Sequence, residues 1–304
     1  MKELLEILKS SPNSILAKNN KVYDFSKSSK TLDFYNRQFI NHTTNEIGEG
    51  LRIEDISNSP PEMIDVNSFL LKNVDSNSIF IELGGSKYQR RSGFPYFFYK
   101  NYFPLDISQQ SMIGYSEIYD RFSISCNAEK LPFKDKKIDV IMTHTFLEHT
   151  VYPDKVLEEI DRVLKPGGYV IHSDAWNCRW WQRYGIYGIK KLKDLTFKNK
   201  LLYIIIFLYE NKFMRRFFII LKRTLKETFV KIKRPNDLIF KKLNPNYELN
   251  LFCDEDAASS IDPVDLIRFY KSRGYVLVPN LSFFKLLFFN KQTIYLKKMI
   301  EFDN

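Results

Sequence analysis

The stretch from Asn127 to Gly168 constrains the fold more than any other part of this chain. A short polar loop, Asn127-Ala128-Glu129, leads into an apolar run at Ile138–Met142. A charged amphipathic segment over Asp154–Leu164 follows and stops at Lys165-Pro166-Gly167-Gly168, where the glycines read as a helix C-cap and a turn into the next strand. A second apolar run then spans Tyr169–Asp174. Strand, helix and strand at this spacing predict neighbouring parallel strands with the helix packed on one face of a sheet.

The same rhythm extends on both sides. Helix is expected at Glu62–Val74, and strands at Ile79–Leu83, Tyr102–Asp106 and Phe122–Ser125. After an interruption, a helix is expected at Pro263–Ser272 and strands at Gly274–Val278 and Thr293–Lys297, the last two as an antiparallel edge. The fold expected is α/β, a Rossmann-like, seven-stranded, mostly parallel sheet with helices on both faces, carrying a helical basic insertion before the last helix and two strands. With 304 residues the chain is long enough for a large core plus appendages. The division drawn from sequence is an N-terminal extension (1–58), the α/β domain (59–176 and 251–304) and the insertion (177–250).

Three phrases, NAEKLPFKDKKID from Asn127, Leu147-Glu148-His149, and EEIDRVLKPGG from Glu158, resemble the second half of a class I S-adenosylmethionine-dependent methyltransferase of the type 11 kind. The resemblance implies S-adenosylmethionine as cofactor, seated beyond the carboxyl ends of the strands. It implies a cofactor set of Glu82, Gly84, Gly85, Asp106, Ile107, Asn127, Ala128 and Thr143. Glu82 and Gly84 match the family's acidic residue and first glycine, while Ser86 and Tyr88 stand where later glycines are usual. Asp106, ending its strand, can accept hydrogen bonds from both ribose hydroxyls; its other reading is a helix N-cap. Asn127 replaces the family's usual aspartate and keeps an oxygen that can accept from the adenine amine. Asp139 reads as structural.

If the methyl acceptor is a hydroxyl, a general base within reach accelerates transfer. His144, just past its strand, is the first candidate, since histidine titrates near neutrality. His149 and Asp174 follow, although His149 also suits a structural hydrogen bond at the start of a helix. Three scattered cysteines, Cys126, Cys178 and Cys253, form no C-x-x-C pair, so neither zinc nor a disulfide framework is expected and a reducing, cytoplasmic setting is. Glu148 and His149 lack the further ligands that a metal needs. No metal is expected.

The formal net charge of +10 is concentrated in one segment. Residues 190–242 hold sixteen Lys or Arg against four acids, which leaves the rest of the chain near neutrality. Leu201–Tyr209 is apolar but far too short to span a bilayer. On a helical wheel Phe213, Met214, Phe217, Phe218, Ile220, Leu221, Leu225 and Phe229 share one half. Lys212, Arg215, Arg216, Lys222, Arg223 and Lys226 fill the other, with Ile219 and Val230 as exceptions. Such a helix suits a membrane interface, or a lid with its apolar face inward. RNA suits it less, because the aromatics and cations lie on opposite faces and base stacking wants them interleaved. The insertion and the phrase CDEDAASSIDPVD are similar to bacterial methyltransferases of surface-glycan assembly. The function expected is O-methylation of a saccharide or lipid-linked glycan on the inner face of the cytoplasmic membrane, with an RNA methyltransferase or a non-catalytic binding module as alternatives.

Overall fold

The computed structural model describes residues 2–16, 21–27, 29–41, 61–85, 99–181, 197–230, 237–247, 256–279 and 293–300, with single positions at 282, 285 and 288. Nine strands form one sheet. These are β1 (Ser14–Leu16), β2 (Val22–Asp24), β3 (Ile79–Leu83), β4 (Asn101–Asp106), β5 (Ser123–Ser125), β6 (Ile138–His144), β7 (Leu164–Ser173), β10 (Tyr275–Leu277) and β11 (Thr293–Lys298). Their order is β1-β2-β5-β4-β3-β6-β7-β11-β10. Strands β2 to β7 run parallel, and β11 lies antiparallel between β7 and β10.

Two of these strands exceed the expected seven. The hairpin β1–β2 comes from the segment set apart as an N-terminal extension, and β2 pairs in parallel with β5. Val22, Tyr23 and Asp24 are all buried there. A three-residue strand is too short to show alternation, which is why the sequence did not announce it.

Helices cover both faces. The buried residues of α5 (Pro153–Val163) and α8 (Pro263–Lys271) pack with Leu4 and Ile7 of α1 (Lys2–Ile7) on one side, against Ile81, Leu83 and Ile141. On the other, Val66 and Leu70 of α3 (Pro61–Asn73) and Tyr115 of α4 (Gln109–Tyr119) meet Phe80, Val140 and Met142. The alternation of Phe80 with Ile81, and of Met142 with Ile141, is the two-residue period of strands buried on both faces.

The Lys165–Gly168 turn departs from expectation. Helix α5 already ends at Val163, and Leu164, in extended backbone, begins β7. The two glycines sit inside β7, where the register with β6 steps from Ile138↔Leu164 to Val140↔Tyr169. This is a bulge in which β7 takes five steps to two of β6. Gly167 has φ of +83°, and a Cβ on Gly168 would lie 2.8 Å from the Asp139 carbonyl oxygen, so both positions need glycine. Asp139 anchors this end of the sheet, as a structural role requires. It accepts from the Ile79 N–H at 2.9 Å and pairs with Lys165 at 2.7 Å.

Beside the sheet, β8 (Phe240–Lys242) and β9 (Ser259–Ile261) form an antiparallel ribbon. The insertion contributes α6 (Phe197–Glu210) and α7 (Lys212–Val230), with Asn211 between them accepting from the Phe213 and Met214 N–H groups.

Candidate active site

Strand order reverses between β3 and β6, and an open α/β sheet leaves its ligand crevice beyond the carboxyl ends at such a point. Gly84 follows β3 with φ of +76°. Its N–H and that of Gly85 both donate to the Leu105 carbonyl, at 2.8 and 3.0 Å, drawing the turn across β4. A Cβ on Gly84 would come within 2.7 Å of the Phe146 ring, and one on Gly85 within 2.7 Å of Pro104 Cβ. Ser86 and Tyr88 lie outside the described residues. Glu82 is buried on the same face as Phe80, accepts a hydrogen bond from the Tyr102 hydroxyl, and is turned into the layer of α3 and α4.

Asp106 ends β4 half-buried, with Oδ1 accepting from the Ser108 N–H at 2.7 Å. The cap of α4 is Ser108, whose hydroxyl accepts from Ser111 N–H at 3.2 Å, so Asp106 is left at the strand end rather than spent as the cap. Burial pushes its carboxyl up to about 6, against the opposing pull of the Ser108 N–H and of His149. Ile107 is half-buried beside it. The next strand end places Asn127 exposed, its Oδ1 folded back onto the Glu129 N–H at 2.9 Å, and Ala128 half-buried on the main core.

Thr143 and Asp174 belong to a buried network. Thr143 Oγ1 donates to Asp174 Oδ2 at 2.5 Å and lies 2.7 Å from His172 Nδ1. The threonine has one proton to give, so Nδ1 of His172 is the donor to Thr143, and Nε2 lies 3.0 Å from the Tyr270 hydroxyl. Asp174 Oδ1 accepts from Phe146 and Leu147 N–H at 2.9 and 3.1 Å. Burial alone would raise this carboxyl, but His172, the Thr143 hydroxyl and the Phe146 N–H hold it below the usual range. The carboxylate thereby fixes the turn after β6, where Thr145 adopts φ of 44°, a costly conformation for a β-branched residue. Asp174 positions this turn.

His144 ends β6 half-buried, paired in register with Ser173. His149 lies one short 3-10 turn later, at the end of Leu147–His149. The ribbon straps this turn down, with Ala258 N–H donating to the Glu148 carbonyl at 2.7 Å and Ser259 Oγ to that of Leu147 at 2.9 Å. His149 Nδ1 is 3.0 Å from Asp256 Oδ2, and its side chain stays 21% exposed. The same Asp256 oxygen accepts from the Tyr35 hydroxyl of α2 (Lys30–Asn41) at 2.6 Å. Burial would raise Asp256, but His149 and Tyr35 hold it below the ordinary carboxylate range. Tyr35 itself is pushed well up, by burial and then by Asp256, with a smaller contribution from Asp106. One cluster therefore brings together Asp106, His149, Asp256 and Tyr35. Neither Asp256 nor Tyr35 stands out in the sequence. Each is one acid or aromatic among many, and 221 positions separate them.

The strand order and this crevice are those of a Rossmann-like α/β domain. Residues 85–172 match the family described as a methyltransferase domain. Such a domain takes its methyl group from S-adenosylmethionine. A ubiquinone/menaquinone biosynthesis C-methyltransferase of Burkholderia mallei is 38% identical over 73 residues, 23% of this chain and 30% of its own length. A malonyl-[acyl-carrier protein] O-methyltransferase of Marinomonas sp. is 30% identical over 73 residues, 23% of this chain and 27% of its own length. The chain thus spans less than a third of the curated relatives it matches. A SAM-dependent methyltransferase of known structure from Methanosarcina mazei is 13% identical, with a TM-score of 0.40 over 77% of this chain and 98% of its own.

Proposed function

We propose that the protein transfers a methyl group from S-adenosylmethionine to a hydroxyl of a saccharide or lipid-linked glycan. The observation that carries this reading is the His149–Asp256 contact beside Asp106. It sets a candidate base, already oriented, next to a half-buried carboxylate suited to ribose. Asp106, the Gly84–Gly85 turn and the Asn127–Ala128 loop would hold the cofactor, and Glu82 would brace the turn through Tyr102. When bound, the cofactor supplies a methyl group activated by its sulfonium charge.

A hydroxyl acceptor, unlike a carbanion or a free amine, must lose its proton as the bond forms, and the residues around His149 suit that need. With Asp256 Oδ2 3.0 Å from Nδ1, uptake of the acceptor's proton by the ring would leave an imidazolium that the adjacent carboxylate stabilises. Tyr35 keeps Asp256 from rotating away. His144, at the end of β6, remains the alternative base. Positioning does the rest, at roughly 7–11 kcal/mol for well-aligned reactants.

Calorimetry with S-adenosylhomocysteine tests the cofactor half, with saturable heat expected from the native chain and none from Asp106→Ala. Heat from neither refutes it and leaves a non-catalytic module. Mass spectrometry of glycans and lipids from cells with and without the gene tests the acceptor. A methyl group that disappears from RNA and not from glycans would overturn the saccharide assignment.

A further inference from the structure

Helix α7 sits on the protein the opposite way from an ordinary surface helix. Arg223, from its cationic half, is 4% exposed and turned into the domain. There its Nε lies 3.1 Å from both carboxylate oxygens of Asp262, and Nη2 lies 2.9 Å from Oδ1. Asp262 is itself buried and caps α8 by accepting from the Val264 N–H at 3.0 Å. The guanidinium therefore fixes the rotation of α7 about its own axis.

Leu221 lies two residues before Arg223, which places it about 160° away around a helix of 3.6 residues per turn. Pinning Arg223 inward thus turns the apolar half outward. Phe213, Phe217, Leu221 and Leu225, one row at four-residue spacing, are 79%, 54%, 43% and 51% exposed. Leu201, Ile204 and Leu208 of α6 are exposed as well. Arg216 and Lys222 are exposed on either flank of the row, where long cationic side chains can reach past an apolar surface to negative groups beside it.

We infer that the outward face of α6 and α7 docks on an anionic lipid surface, with the phenylalanine and leucine row in the acyl boundary and Arg216 and Lys222 among the headgroups. Charge selects this occupant. A second copy of the chain would bring another segment carrying twelve excess positive charges against the first, whereas an anionic bilayer neutralises them. No helix among the described residues is long and apolar enough to cross a membrane, so the contact is peripheral. The Arg223–Asp262 pair transmits the orientation, holding the site at a set angle to the surface.

Flotation of the full chain tests this without any cofactor, so its result is independent of the methyl-transfer reading. Vesicles of phosphatidylcholine alone are compared with vesicles containing phosphatidylglycerol. The native chain is expected to float with the anionic vesicles and to lose that binding as salt is raised. Phe213→Ser/Phe217→Ser is expected to bind at least tenfold more weakly, because each change removes an apolar ring from the acyl boundary. Both residues are exposed, so the variant is expected to keep its fold, and circular dichroism checks this. Failure of the native chain to float with either vesicle overturns the proposal. So does equal binding by the double variant, or binding indifferent to lipid charge. Self-association of the native chain that the double variant abolishes, without vesicle binding, assigns the face to a second copy instead.

Discussion

Asp106→Asn separates the cost of the crevice from its use. The Asp106 carboxyl moves from 3.8 to about 6 because burial disfavours its charge. A carboxyl raised on folding favours the folded state below its unfolded value, and that advantage is lost as pH climbs through the folded value. At neutral pH the unliganded protein therefore carries a penalty. A shift of roughly two units at 1.36 kcal/mol each, reduced by partial solvent access, gives about 2–3 kcal/mol. The isosteric amide has no charge to desolvate, so Asp106→Asn is expected to melt higher at pH 7.5, by roughly 5 °C for a chain of this size. The gap should close near pH 4, where the native carboxyl is protonated as well. Adding S-adenosylhomocysteine should reverse the order. The native protein gains stability on binding, while the variant loses a charge-assisted hydrogen bond of about 1.5–3 kcal/mol, roughly 10–100-fold in affinity. Native affinity should itself fall about tenfold per unit below pH 6. Scanning calorimetry across pH, with and without ligand, measures all of this. A variant no more stable than native at pH 7.5, or a gap that persists at pH 4, refutes the burial argument.

Three further variants probe the rest of the site. His149→Ala should slow transfer by about 10²–10⁴-fold at unchanged cofactor affinity near pH 8. Removing the imidazole's pull on Asp106 should also move the midpoint of pH-dependent binding upward, and a rate unchanged across pH would discard His149 as base. Arg223→Ala leaves Asp262 buried without its partner and should cost about 3–5 kcal/mol in urea unfolding; a loss below ~1 kcal/mol would mean that α7 is not held by this pair. Gly84→Ala forces a Cβ onto the Phe146 ring at positive φ, which should cost at least about 1–3 kcal/mol and weaken S-adenosylhomocysteine binding in calorimetry. Native-like stability would show that the turn relaxes freely.

The central strands were legible because each is a compact apolar run with polar punctuation, and buried strands leave little else to read. The parallel pairing of β6 with β7 followed from the Asn127–Gly168 block. What escaped the sequence was geometry with no local signature. The Lys165–Gly168 phrase looks like the end of a helix, yet its glycines serve a bulge, a need set by the Asp139 carbonyl on the adjacent strand. The wheel for α7 separated its two faces correctly but could not say which faced inward, since that depends on Asp262 39 positions away. Likewise Asp174 was legible as an acid at a strand end, but not that Thr143 and two backbone N–H groups already occupy it.

The contact between Tyr35 and Asp256 also sets an order of events during synthesis. A ribosome delivers the parallel strands β3 to β7 by residue 173, so the crevice at their carboxyl ends is formed before residue 256 has been made. The carboxylate in contact with His149 arrives only with residue 256, and it must find a tyrosine made 221 residues earlier. A chain cut before residue 256 would thus have its crevice without the Asp256–His149 contact, and that contact reports that early and late segments have met.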